Sequence, residues 1–178
     1  MRYAQVFPGQ GSQFVGMGKD LFDQYSEAKK HFLEANKILG FKITEIMFEG
    51  SQKELTETNI AQPAIFIHSI IKSRLVKKKG EIIGVAGHSL GEFSALVASN
   101  SISFQDGLKL VNIRAKEMRK ACEENPGTMA AVIGLENESV ENCCNKIKEI
   151  VVPANYNCPG QIVVSGEKKA IISVSKVL

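Results

Sequence analysis

One serine stands between two glycines in a context that is typical of covalent catalysis. The segment Gly87-His88-Ser89-Leu90-Gly91-Glu92 follows the apolar run 82–86, which predicts a strand, and precedes the run 93–98, which predicts a helix. On such a turn, called a nucleophile elbow, the serine hydroxyl is pushed into the open. The helix that follows directs free backbone N–H groups and its positive dipole end toward a developing oxyanion. We therefore interpret Ser89 as a nucleophile, with a chance pattern in a loop as the alternative.

A second glycine-rich turn follows the strand predicted at 3–7. Its sequence, residues 8–13, invites a dinucleotide-binding interpretation, but Phe14 stands where the third glycine of that fingerprint is required after Gly9 and Gly11. No lysine follows at the spacing of a phosphate loop either. In open α/β sheets, ligands bind at the carboxyl ends of the strands. Because this turn and the Ser89 elbow both follow predicted strands, we expect them to lie side by side at one edge of the sheet. An ordinary tight turn is the alternative.

Hydrophobic periodicity gives the elements that must position these turns. Gly40 suits the end of a helix, Pro63 suits a first helical turn, and the spacing of Ser103 and Asp106 resembles a capping box. The predicted strands are 3–7, 82–86, 129–135, 150–156 and 161–165, and the predicted helices are 19–25, 27–39, 63–77, 91–98, 104–123 and 138–150. From about residue 126 the pattern becomes β-α-β-β followed by the start of a helix, three quarters of a ferredoxin-like fold.

These elements predict an α/β protein of two parts. Residues 1–125 form the N-terminal portion of a hydrolase-like large subdomain, in which helices pack on a parallel sheet. Residues 126–178 form an incomplete ferredoxin-like small subdomain.

Arg114 is a cation in a position where it needs an anionic partner. The helix predicted at 104–123 carries an apolar stripe, and Arg114 lies on that stripe or at its edge. A guanidinium placed there needs an anion, and its planar fork matches a carboxylate in two parallel hydrogen bonds. On the pattern alone, an arginine that buries its stem and extends to water is the alternative. The stripe consists of Leu108, Val111, Ala115, Met118 and Cys122.

Composition places the chain among globular proteins that work outside membranes and away from nucleic acids. With 178 residues, 44% hydrophobic, it can bury one core and a small second unit. A net charge of +3 does not indicate a nucleic-acid footprint. The longest uncharged run, 150–166, is broken by Pro153 and Pro159, so it predicts no membrane span, and no signal peptide is visible. We expect a cytoplasmic protein.

The cysteines and a cluster of basic residues do not by themselves indicate a functional site. The four cysteines, at 122, 143, 144 and 158, have neither zinc-site spacing nor the density of a disulfide scaffold, so we expect reduced thiols and no metal. The basic cluster at Lys72, Arg74 and 77–79 predicts a solvated helix end with favourable charges. Attraction of an acidic partner is its alternative.

Five separated motifs are spread over the whole chain. They are Phe7-Pro8-Gly9-Gln10-Gly11-Ser12-Gln13, Gln62-Pro63-Ala64, Gly87-His88-Ser89-Leu90-Gly91-Glu92, Arg114, and Asn155-Tyr156-Asn157-Cys158-Pro159-Gly160-Gln161. Together they resemble the motifs of the malonyl-CoA:acyl carrier protein transacylases of fatty-acid synthesis. They occur in that family's order, so their joint presence is far more specific than any one of them.

The resemblance implies a two-step acyl transfer without a cofactor. Ser89 takes a malonyl group from malonyl-CoA, the substrate, and the phosphopantetheine thiol of acyl carrier protein, the partner, then collects it. The family pattern assigns the oxyanion hole to the backbone N–H groups of Gln10 and Leu90, and the substrate carboxylate to Arg114. In related polyketide acyltransferases a branched apolar residue at the position of Leu90 often accompanies malonyl loading.

Gln62 and Asn157 match family positions near the active site, so the resemblance makes them candidates for substrate binding. A capping or turn role is the alternative for both residues.

The general base that a serine nucleophile needs is missing from its expected place. In the family it is a histidine well downstream of the serine, but the three histidines here are His31, His68 and His88, and none follows Ser89. We interpret all three as structural and expect the chain to be the N-terminal part of a longer protein. Two other classes stay open: a serine esterase, and a noncatalytic fragment that binds a carrier protein or coenzyme A.

Overall fold

Helices and two small sheets build the chain, an α/β architecture in which two compact units can be described separately. The computed structural model describes residues 1–75 and 80–178. One unit comprises Met1–Arg119 and the other Lys120–Leu178.

The first unit carries both glycine turns. Its two strands are β1 (Arg2–Phe7) and β2 (Glu81–Gly87). Its helices are α1 (Lys19–Gln24), α2 (Ser26–Leu39), α3 (Ile43–Glu49), α4 (Gln52–Thr56), α5 (Thr58–Leu75), α6 (Gly91–Ala98) and α7 (Phe104–Glu124), the last of which continues into the second unit.

A parallel pairing of β1 and β2 fixes where the two glycine turns emerge. The register sets Phe7, the last residue of β1, opposite Gly87, the last residue of β2. Because parallel strands point the same way, the turns that follow them leave from the same edge of the sheet. The expected neighbourhood of residues 8–13 and the elbow is thereby confirmed.

Helix α5 is the centre of the first unit's core. Residues 60–67 are all buried, including the polar Gln62. Phe66 of α5 stacks on Phe104 at the start of α7, with ring centroids 5.7 Å apart and planes inclined by 20°. Apolar residues of the shorter helices complete this core, among them Phe32, Ile43, Met47 and Leu55, each with 0% of its surface exposed. The helix is thus anchored on several sides, which gives its polar residues fixed positions.

The second unit is a three-stranded antiparallel sheet with two helices. Its elements are β3 (Thr128–Ile133), α8 (Asn137–Lys146), β4 (Val151–Cys158), β5 (Gln161–Gly166) and α9 (Lys168–Val177). The strand order is β3-β5-β4. Its core brings together Val140 and Cys144 of α8, Ile162 and Val164 of β5, and Ile171 of α9.

Helix caps are confirmed at two predicted places. Gly40 ends α2 with φ 78°, a left-handed conformation that glycine adopts without steric cost. Before α7, Ser103 Oγ accepts from the Asp106 backbone N–H at 3.0 Å and donates to the Asp106 carboxylate at 2.7 Å.

Other predicted boundaries are wrong. Pro63 does not begin its helix, because α5 begins five residues earlier at Thr58 and holds the proline in its interior. The predicted helix 138–150 ends at Lys146, and α3 and α4 were not predicted. The predicted end of α5 at residue 77 lies outside the described residues, as does the lysine run 77–79. On α7 the apolar stripe is buried at Leu108, Val111 and Ala115, whereas Met118 is 40% exposed.

Among the helices in residues 1–75 and 80–178, none is both long enough and apolar enough to cross a bilayer.

Candidate active site

Ser89 occupies a strained turn between β2 and α6. Its φ is 51°, in the left-handed region that residues other than glycine seldom occupy. The turn is closed by the Gly91 backbone N–H, which donates to the His88 carbonyl at 2.9 Å. Ser89 is exposed, whereas the next residue, Leu90, is 1% exposed and packs in the core. The elbow predicted from the sequence is thereby formed, with its hydroxyl accessible.

Two glycines allow this turn to press against its surroundings. A Cβ on Gly87 would lie 1.9 Å from the backbone carbon of Gly91, and a Cβ on Gly91 would lie 2.2 Å from the carbonyl oxygen of Phe7. Both distances are far below van der Waals contact, so any other residue would push the elbow away from the end of β1. The His88 backbone N–H donates to the same Phe7 carbonyl at 3.0 Å.

The turn of residues 8–13 lies directly beside the elbow. A Cβ on Gly9 would lie 2.8 Å from both Nδ1 and the backbone oxygen of His88. The turn is stiffened from within, since Ser12 Oγ donates to the Gly9 carbonyl at 2.9 Å and the Gly11 backbone N–H donates to Gln13 Oε1 at 2.8 Å.

Gln10 is tied to the start of helix α5. Its Nε2 donates to Thr58 Oγ1 at 3.2 Å. This bond connects the glycine turn to the best-packed helix of the unit.

Arg114 reaches Ser89 from α7. Its Nη2 donates to Ser89 Oγ at 2.9 Å, and its Nη1 donates to Gln62 Oε1. The guanidinium carbon also lies 5.9 Å from the ring centroid of Phe93, within the range of a cation–π contact. The structure thus holds the guanidinium at the serine, not out in open water as the alternative had it.

Gln62 links Arg114 to a residue that the sequence interpretation placed only in an apolar stripe. Gln62 is 0% exposed on α5. While its Oε1 accepts from Arg114, its Nε2 donates to the sulfur of Met118 at 3.3 Å. Met118 lies one helical turn after Arg114, and that i, i+4 spacing is the signal that could have pointed to it.

The remaining candidate residues belong to other elements of the chain. Asn157 belongs to the second unit, where its Nδ2 donates to Gln161 Oε1 at 3.1 Å across the β4–β5 turn. His31 on α2 contacts Arg74 Nη1 through its Nε2 at 2.9 Å. His68 on α5 packs edge-on against Phe14, and burial lowers its pKa from the usual 6.5.

The geometry around Ser89 suits capture of an acyl group that carries a negative charge. A cation beside a hydroxyl stabilises negative charge that develops there. The planar guanidinium can also form two parallel hydrogen bonds with a carboxylate attached to the acyl chain.

Comparison with known proteins agrees with this geometry. Residues 4–178 match the family model described as the acyl transferase domain. The malonyl CoA-acyl carrier protein transacylase of Bacillus subtilis (strain 168) is 43% identical over 180 residues, covering 99% of this chain and 57% of the relative.

Two solved structures are also similar. One is a malonyl-transacylase in complex with its type II PKS acyl-carrier protein. The TM-score is 0.90 and the sequences are 39% identical, and the match covers 99% of this chain and 58% of that chain. The second is the MCAT of Streptococcus pneumoniae. The TM-score is 0.89 and the sequences are 38% identical, and the match covers 99% of this chain and 58% of that chain.

The chain spans somewhat more than half the length of the relatives it matches. The family match nevertheless covers nearly every residue given, including both glycine turns, Arg114 and the second unit. The chain therefore belongs to the acyl transferase domain family.

Proposed function

We propose that the protein transfers a malonyl group from malonyl-CoA to the phosphopantetheine thiol of acyl carrier protein in fatty-acid synthesis. The observation that carries the proposal is the 2.9 Å hydrogen bond from Arg114 to Ser89 Oγ, because it sets a carboxylate-binding cation beside a nucleophile. The proposal keeps the cytoplasmic location expected from the sequence and needs no cofactor.

In the first step the Ser89 oxygen attacks the thioester carbonyl of malonyl-CoA. The new C–O bond replaces the C–S bond, the serine proton leaves through a general base, and coenzyme A departs with a proton on its sulfur. In the second step the carrier protein's thiol attacks the malonyl ester, which forms a new thioester and returns the proton to Ser89.

Two backbone N–H groups stabilise the oxyanion in both steps. We assign them to Leu90, the residue after the nucleophile, and Gln10, a residue of the turn beside it. The assignment is supported by the packing of Gly9 against His88 and of Gly91 against Phe7, which brings the two turns together. One such donor is typically worth about 3 to 4 kcal/mol in the transition state.

Arg114, Gln62 and Asn157 are the substrate-site residues in this proposal, and Gln62 acts through Arg114. Arg114 binds the free carboxylate of malonate, and the buried Gln62 holds the guanidinium in place. Leu90, a branched apolar residue, favours malonyl over methylmalonyl. Asn157 keeps the substrate role that the family resemblance implies.

We extend the proposal to the architecture. Residues 1–125 are the N-terminal portion of a hydrolase-like large subdomain, supported by a parallel β1–β2 pair that ends in the elbow. Residues 126–178 belong to a ferredoxin-like small subdomain, supported by the β-α-β-β-α order and the antiparallel β3-β5-β4 sheet.

The test follows the acyl group to its acceptor. Protein expressed from its complete reading frame is incubated with malonyl-CoA and acyl carrier protein in the phosphopantetheine form. The products are identified by mass spectrometry. Malonyl-carrier protein is the expected product. Free malonate together with rapid hydrolysis of neutral esters would identify a serine esterase instead, and carrier-protein binding without any turnover would identify a noncatalytic module.

A further inference from the structure

The Gln62 carboxamide is held at both ends by one face of α7. Arg114 donates to its Oε1, and Met118, one turn later on the same helix, accepts from its Nε2 at 3.3 Å. Gln62 itself is 0% exposed, so water does not reach its polar atoms freely. Both contacts therefore matter to the orientation of this side chain.

A carboxamide has two chemically opposite ends, and only one orientation suits Arg114. Guanidinium is a donor without any acceptor, so it requires the oxygen end of Gln62. If the amide rotated by half a turn, two donors would face each other. Because a buried N–H that lacks a partner is costly, the acceptor at the other end stabilises the orientation that Arg114 needs.

We propose that Met118 is a positioning residue for the substrate-binding arginine. Its sulfur accepts from Gln62 and so keeps the Gln62 oxygen on Arg114, which in turn aims the guanidinium at Ser89 and at the substrate carboxylate. The inference rests on the proposed function for its kinetic consequence, but the contact itself is independent of any substrate.

A simple packing role for Met118 makes a different prediction. If the side chain only fills apolar space, leucine is the best replacement, because Leu and Met exchange with little loss in protein interiors. If the sulfur acts as an acceptor, glutamine is the better replacement, because it has similar length and brings a carbonyl oxygen near the position of the sulfur. The order of the two variants thus separates the two roles.

The first measurement is structural. Crystal structures of the protein from its complete reading frame are compared for wild type, Met118→Leu and Met118→Gln. We expect the bond between Arg114 Nη1 and Gln62 Oε1 to be lost in the leucine variant and kept in the glutamine variant. An unchanged bond in the leucine variant would overturn the inference, whatever the enzyme's substrate is.

The second measurement is kinetic selectivity. Met118→Leu should lower kcat/KM for malonyl-CoA about tenfold, the effect of one lost hydrogen bond to a buried group, and leave acetyl transfer from acetyl-CoA nearly unchanged. Met118→Gln should recover most of the malonyl activity. Met47→Leu is the control for the chemical exchange itself, because Met47 of α3 is a fully buried methionine in the core of the first unit. It should change neither activity.

A double-mutant cycle shows whether Met118 acts through Gln62. In a Gln62→Met background, Met118→Leu should cause no further loss of malonyl selectivity. Additive losses would overturn the inference even if each single variant is impaired. Absence of malonyl uptake by the wild-type protein would instead refute the proposed function, and the crystal structures would still decide the role of Met118.

Discussion

Arg114 Nη2 lies 2.9 Å from Ser89 Oγ, a direct hydrogen bond between residues 25 positions apart. The hydroxyl is the acceptor in this bond, so its own proton stays available to a base. The same guanidinium is fixed at its other nitrogen by the buried Gln62. An arginine held in this way supplies its positive charge without a large entropic cost when an anionic acyl group arrives.

Ser89→Ala should abolish formation of a covalent malonyl-enzyme. The elbow hydroxyl is the atom that forms the ester in the proposed mechanism, and alanine removes only that oxygen. Intact-mass measurement after exposure to malonyl-CoA, followed by peptide mapping, checks this outcome. Thermal unfolding of the variant should match that of the wild type. A malonyl group mapped to any other residue would contradict the assignment of the nucleophile.

Arg114→Ala should reduce malonyl transfer about a hundredfold or more, because two charge-assisted hydrogen bonds to the substrate carboxylate are lost. Acetyl transfer, which involves no carboxylate, should be relatively spared. The measurement is kcat/KM for malonyl-CoA and acetyl-CoA in the same assay. Arg114→Lys is the matched control, since it keeps the charge and removes the fork, and it should recover only part of the malonyl activity. Equal losses for both acyl groups would identify a structural arginine.

Gly91→Ala should destabilise the protein and disturb Ser89. The new Cβ would lie 2.2 Å from the Phe7 carbonyl oxygen, so the elbow must move away from β1. We expect a loss of about 1 to 3 kcal/mol in the free energy of unfolding, the usual cost of overpacking, together with slower malonyl-Ser89 formation. Urea denaturation and adduct kinetics measure the two effects.

Gly84→Ala provides the comparison for this effect. Gly84 lies on β2, and a Cβ placed there would meet nothing within 4 Å. This variant should keep wild-type stability and adduct kinetics. Equal behaviour of the two alanine variants would show that the close approach of Gly91 to Phe7 is unimportant.

The sequence predicted those parts of the site that depend on local chemistry. The Ser89 elbow and the capping of α7 by Ser103 follow from residue types within a few positions, and the structure contains both. The start of α5 was misplaced because Pro63 is typical of a first helical turn, yet the burial of residues 60–67 outweighs the hydrogen bond that an interior proline loses. Burial of this kind depends on the tertiary fold.

Contacts between helices that are distant in the sequence cannot be predicted from the sequence pattern. Gln62 and Met118 are 56 residues apart, and no periodicity shows which residue of α5 meets which residue of α7. The stripe on α7 placed Met118 among apolar residues, whereas its exposed fraction and its contact with an amide N–H become visible only when α5 and α7 are packed together.

The stability of the protein should depend on pH through His68. Burial lowers the pKa of this histidine from its usual 6.5, the nearby Lys72 lowers it further, and Asp20 opposes both effects. The folded state therefore favours the neutral ring more than the unfolded chain does. Well above pH 6.5 the ring is neutral in both the folded and the unfolded chain, and it contributes no pH dependence. As the pH falls below this value, the unfolded chain binds a proton before the folded one does, so the free energy of unfolding decreases.

Urea denaturation at pH values on either side of 6.5 measures this effect. His68→Gln removes the titrating group, so it should reduce the acid-induced loss of stability relative to wild type. Lys72→Met should also reduce that loss, because the protonated ring is then no longer repelled by a neighbouring cation. An acid-induced loss of the same size in wild type and His68→Gln would assign the pH dependence to other groups.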